Sequence, residues 1–228
     1  MPKKNLCEIV VILDRSGSME GVRQDAIGGF NTFMDDQKKV EGEARVTLVQ
    51  FDNEYETVFE NLPINEIPVM DHNTFVPRGT TALLYAVGRT IDEVGKRLDG
   101  LVEESKPEKV MVAILTDGYE NASHHMTPSY DNHKIKKMIE LQKSQYNWDF
   151  IFLAAGVDAW AIGGAMGIPK QDTMSVAHNA AGIQSAYTSM SVRTTAYRKG
   201  EADPDWQNLT DNKQDIGRNT YDDTKQPA

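Results

Sequence analysis

Asp14, Ser16 and Ser18 occupy alternate positions in the run Asp14-Arg15-Ser16-Gly17-Ser18, directly after an apolar stretch. Gly79-Thr80-Thr81 stands directly before a helical pattern, and Thr116-Asp117-Gly118 directly follows another apolar stretch. Carboxylates and hydroxyls are hard oxygen donors, which suit magnesium or manganese better than a soft metal. Ser16, Ser18 and Thr81 are neutral, so an ion held mainly by them keeps much of its charge. Asp14 and Asp117 can bind it directly or hold ordered water. Such an ion retains affinity for an incoming carboxylate, which makes it a device for recognition more than for catalysis. Gly17 and Gly118 let the backbone turn sharply beside it.

For these loops to meet, the elements around them must end on one edge. Cys7 to Leu13, Arg45 to Phe51, Val110 to Leu115, Phe150 to Ala155 and Thr173 to Ala177 read as strands. Between them, helical spacing runs through Val22 to Met34, Leu83 to Leu98, residues 131–146 and Trp160 to Met166. A last helix is striped by Ile183, Tyr187, Met190, Thr194 and Tyr197. Tyr55 to Glu60 alternates like an exposed strand, and Asp52-Asn53 is its hairpin turn. The expected fold is α/β: a doubly wound, Rossmann-like, mostly parallel central sheet with one antiparallel edge strand and helices on both faces. Ligands in such sheets sit beyond the carboxyl ends of the strands.

At this point the chain resembles a known family. Asp14 to Met19 (DRSGSM) is similar to the DxSxS motif of von Willebrand factor A (vWA) domains. Gly79-Thr80-Thr81 resembles that family's threonine loop, and Leu115 to Gly118 (LTDG) its aspartate loop. All three occur in the family's order, and the resemblance covers roughly residues 5–200. It implies a metal-ion-dependent adhesion site (MIDAS), with Ser16, Ser18 and Thr81 as ligands and Asp14 and Asp117 binding directly or through water. Thr80 competes with Thr81, which fits the family's Gly-x-Thr spacing better. The resemblance is to the stand-alone intracellular type of bacteria and their viruses, whose members are similar to adaptors for larger machines.

The rest of the sequence narrows the function. Arg15 points at an acidic partner or pairs locally, while Tyr119 and Glu120 rim the site and His124-His125 lies in a loop on the same side. His72, His133 and His178 stand isolated, without ligand spacing. A net charge of −10 argues against broad binding to nucleic-acid backbones. The single cysteine, Cys7, permits no disulfide within the chain and reads as a small core residue. No segment approaches the roughly 20 apolar residues of a membrane span. The expectation is therefore a cytoplasmic protein, in which the sequons at Asn121 and Asn208 carry no meaning.

Two regions are expected: a vWA-like domain over residues 1–200 and an acidic, flexible or loosely docked tail over 201–228. The tail holds seven acids against three bases. The leading functional expectation is a non-enzymatic module that takes an acidic side chain of a partner protein as the sixth ligand of Mg2+ or Mn2+. A metal-dependent phosphoester hydrolase is the first alternative, but it needs a base and a richer carboxylate cluster. The second alternative is self-association, with Asp203, Asp205, Asp211, Asp215, Asp222 or Asp223 supplying the sixth ligand.

Overall fold

The apolar run after Leu6 is buried on both sides, as expected of a strand in the middle of a covered sheet. In the computed structural model, which describes residues 1–208, it belongs to β1 (Lys3–Asp14). Cys7, Ile9, Val11 and Leu13 face one core, and Val10 and Ile12 face the other. The remaining strands are β2 (Glu43–Phe51), β3 (Tyr55–Pro63), β4 (Pro107–Thr116), β5 (Trp148–Ala155) and β6 (Thr173–Val176). They form one sheet in the order β3-β2-β1-β4-β5-β6. Only the β2–β3 pair is antiparallel. Its turn closes where Asp52 accepts the backbone N–H of Glu54 at 2.6 Å.

Helices α1 (Arg23–Lys38) and α5 (Ala180–Lys199) cover one face, with Phe30, Phe33, Ile183, Tyr187 and Met190 inward. Helices α2 (Leu83–Asp99), α3 (Asn132–Tyr146) and α4 (Ala159–Ala165) cover the other, with Val87, Ile91, Ile135 and Ile139 inward. The expected doubly wound sheet with one antiparallel edge is the observed architecture. None of the helices among the described residues is long and apolar enough to cross a membrane.

The chain winds from β1 outward to β3, then returns to the centre and winds the other way from β4 to β6. The winding reverses between β1 and β4, where the flanking connections part and leave a crevice at the carboxyl ends. Asp14 ends β1 and Thr116 ends β4, so two of the three chemistry-bearing loops flank that crevice.

The segment after α5 does not drift away at once. Trp206 is buried in the α1–α5 core, Asp203 pairs with Arg193 Nε at 2.9 Å, and Gln207 donates to the carbonyl of Lys170 at 2.9 Å. The packed structure therefore runs past residue 200 to the last described residues. Asp211, Asp215, Asp222 and Asp223 lie outside the described residues.

Candidate metal centre

Hydrogen bonds from the backbone tie the three loops together before the ligand side chains are considered. The N–H of Arg78 donates to the carbonyl of Arg15 at 2.8 Å, and that of Gly17 to the carbonyl of Gly79 at 3.2 Å. On its other side the threonine loop is held by Asn121. The N–H of Thr81 donates to Asn121 Oδ1 at 2.8 Å, and the N–H of Asn121 returns to the carbonyl of Thr81 at 3.0 Å. A threonine loop strapped on both sides cannot swing Thr81 away without breaking several bonds at once. Thr81 is buried, whereas Thr80 is exposed.

Within this frame the side-chain oxygens converge. Ser18 Oγ donates to Asp117 Oδ1 at 2.7 Å, Ser16 Oγ lies 3.4 Å from the same oxygen, and the two hydroxyls are 3.1 Å apart. An octahedral ion with bonds of about 2.0–2.1 Å sets neighbouring ligands about 3 Å apart. The three oxygens therefore already have the spacing of one face of such a shell, and the donor set fits a small hard cation. Thr81 Oγ1 borders the same spot. A methyl group added at Gly118 would lie 3.2 Å from it and 3.9 Å from Ser18 Oγ. A side chain at Gly118 would crowd the Thr81 hydroxyl.

Asp14 is fully buried and held from two sides. Its Oδ1 accepts the N–H of Ser16 at 2.7 Å, and its Oδ2 accepts the hydroxyl of Thr116 at 2.5 Å. Burial pushes its carboxyl up to about 6, and the charge of Asp117 pushes the same way; the hydrogen bonds from Thr116 and Ser16 oppose. Two buried carboxylates side by side, with the nearby Arg15 turned elsewhere, form a centre that a divalent cation would relieve.

No protein-family model matches the chain, and no curated protein matches it. Solved structures do match. The vWF domain of the type V pili tip protein of Porphyromonas gingivalis superposes with a TM-score of 0.59 at 10% identity, over 84% of this chain and 96% of that one. A von Willebrand factor type A protein from Catenulispora acidiphila gives 0.53 at 17% identity, over 83% and 42%. Proximal thread matrix protein 1 from the mussel byssus, with zinc in its MIDAS motif, gives 0.56 at 17%, over 80% and 46%. The fold is that of a vWA domain. The present chain spans less than half the length of the last two proteins.

On this vWA fold the four rim residues lie in different surroundings. Arg15 is buried, donates to Asp52 at 3.2 Å and pairs with Glu56. Asp52 also receives Arg78 Nε at 2.8 Å, so one buried carboxylate braces the first metal loop and the threonine loop together. Tyr119 and His124 are exposed. Glu120 turns inward: it accepts the N–H groups of Leu84, Ala122 and Ser123 at 2.8, 2.9 and 2.6 Å, and the hydroxyl of Ser123. Leu84 lies in the first turn of α2, where backbone donors lack helical partners. Glu120→Ala should lower stability by about 1–2 kcal/mol, as loss of a helix cap does, measured as a shift in the urea midpoint. An unchanged midpoint would show that the loop holds without it.

Sequence reasoning passed over His178, whose Nε2 lies 2.9 Å from Asp117 Oδ2. Its signal was position: it stands just beyond the last strand, on the edge where the other loops end. Asp52, Thr116 and Asn121 were not singled out as site residues, because what they hold lies in other loops. Among the described residues no three His, Cys, Asp or Glu side chains are grouped as metal ligands, so any ion here depends on the hydroxyls. Cys7 is buried and its thiol is pushed up to about 12 by that burial, which leaves it inert at neutral pH.

Proposed function

We propose that the domain is a divalent-metal-dependent protein-binding module of MIDAS type, working as an adaptor inside the cell. The observation that carries this reading is the triangle of Ser16 Oγ, Ser18 Oγ and Asp117 Oδ1 at the crevice where the sheet reverses its winding. Ser16, Ser18 and Thr81 would hold Mg2+ or Mn2+, with Asp14 and Asp117 directly or through water. The zinc in the mussel protein's MIDAS motif supports a divalent ion on this fold. Bound mainly to neutral hydroxyls, the ion supplies positive charge and an open position for an acidic side chain of a partner. The chain's own part is to hold the oxygens on a rigid frame, so that little order is lost on binding.

Two other readings find less support. Phosphoester hydrolysis calls for a richer cluster of metal-ligating carboxylates than the described residues assemble. A sixth ligand from the start of the tail is disfavoured. Asp203 is spent on Arg193, which also reaches Asp149 near the start of β5, at the end of the sheet away from the crevice.

The test is direct. Saturating Mn2+ at about 100 times its Kd should stabilise the protein by about 2.7 kcal/mol, and EDTA should reverse this. Ser18→Ala should bind Mn2+ at least tenfold more weakly. Partner capture by the immobilised domain should need the metal; equal capture in EDTA, or with Ser18→Ala, would sink the reading.

A further inference from the structure

The geometry points to His178 as a positioning residue that makes the centre select a small six-coordinate cation over calcium. The inference rests on the metal-binding reading above and names the selectivity of the same site.

Asp117 has two carboxylate oxygens, and they are used differently. Oδ1 faces the hydroxyls of Ser18 and Ser16. Oδ2 faces Nε2 of His178 at 2.9 Å. An ionised carboxylate can only accept, so Nε2 carries the hydrogen, an assignment made from the partner. The Asp117 side chain is wholly buried, whereas about a third of His178 is exposed. Rotating the carboxylate would therefore leave a buried oxygen of Asp117 without its donor, which costs more than the loss of an exposed hydrogen bond.

The imidazole reaches Asp117 by a path that the chain keeps clear. His178 follows β6, and β5 lies between β6 and the Asp117 strand. Gly156, just past β5, has φ +74°, and a methyl group there would sit 3.0 Å from His178 Cβ. The next residue is anchored: Asn179 caps α5 by accepting the N–H of Gly182 at 2.9 Å. One glycine and a helix cap thus set one imidazole against one oxygen.

This fixes how Asp117 can serve an ion. With Oδ2 engaged, only Oδ1 is presented to the hydroxyl cluster. A small cation such as Mg2+ or Mn2+ fills an octahedron with one oxygen from each group. Calcium takes six to eight ligands at longer distances and often draws both oxygens of a carboxylate. The hydrogen bond from His178 therefore favours the small ion twice, by orienting Oδ1 and by withholding Oδ2.

The experiment measures Mn2+, Mg2+ and Ca2+ binding by calorimetry to the full chain and to three variants, with melting in EDTA as the folding control. His178→Ala should lose about tenfold or more in Mn2+ and Mg2+ affinity, the usual effect of removing a ligand's hydrogen-bond partner, while Ca2+ affinity holds or rises. His178→Gln, whose amide nitrogen reaches the Nε2 position, should restore the preference. An unchanged ratio of Mn2+ to Ca2+ affinity in His178→Ala would overturn the inference. So would a nitrogen hyperfine coupling on bound Mn2+ that disappears in that variant, because it would make His178 a ligand. Ser18→Ala serves as the control: if it leaves all three affinities unchanged, the metal site itself is wrong, and the inference falls with it.

Discussion

Replacing Asp14 by asparagine is expected to make the metal-free protein more stable at neutral pH, while removing its response to metal. The side chain is fully buried, and its carboxyl is raised from 3.8 to about 6. A folded-state value above the unfolded one means that the native state holds the proton more tightly. The contribution of Asp14 is therefore fully favourable below about pH 4 and is lost as pH rises through about 6. Above that, ionised Asp14 costs the native state on the order of 3 kcal/mol, from roughly two units at 1.36 kcal/mol each.

Asparagine has the same shape and never ionises. It can keep an acceptor for the N–H of Ser16, and Thr116, whose hydroxyl also lies 3.3 Å from the carbonyl of Gly118, can turn its hydrogen there. Denaturant unfolding in EDTA at pH 4 and pH 7 checks this. The variant should gain roughly 3 kcal/mol at pH 7 and little at pH 4. Added Mn2+ should then stabilise the parent and not the variant. A variant less stable than the parent at pH 7 in EDTA would show that the buried charge is compensated within the protein.

The second large effect is expected far from the crevice. Trp206→Ala should lower stability by about 3–5 kcal/mol, the range for truncating a buried aromatic side chain. Trp206 is 1% exposed and packs with the core between the sheet and helices α1 and α5. The flanking Asp203–Arg193 pair and the bonds from Gln207 hold the segment in register. Urea unfolding measures the loss, and a change under about 1 kcal/mol would show that the segment adds little to the core. Because this segment meets the opposite end of the sheet, metal affinity in the folded variant should match the parent's.

The same tryptophan shows where reading the sequence stopped. The stretch after residue 200 is acidic and poor in large apolar residues, which suggested a flexible or loosely docked tail. One indole was enough to anchor its first part, because burying a single large aromatic offsets the ordering of a few residues. Composition averages over a segment, whereas packing acts on single side chains.

Arg15 and Glu120 make the same point at the site. Both stand beside metal-loop residues; the sequence left Arg15 open between an acidic partner and a local pair, and set Glu120 on the rim. In the structure Arg15 turns to Asp52 and Glu120 to the amide groups opening α2. Neighbours in sequence point to different sides of a turn, and which side is buried depends on chain that lies elsewhere.

Much was legible from the chain alone. Buried strands announce themselves as short β-branched runs, helices by their 3.6-residue period, and the hairpin by Asp52-Asn53 between two strands. These are local properties, so the mostly parallel sheet, the strand-end positions of Asp14 and Asp117 and the helix-start position of Thr81 could be read directly. Tertiary structure alone decided what crosses the sheet: the spacing of the three oxygens, the buried ionisation of Asp14, and above all the meeting of His178 with Asp117. Those two residues are 61 positions apart. Only the order of strands in space, which puts β5 between β4 and β6 and ends all three on one edge, brings an isolated histidine to a metal-site carboxylate.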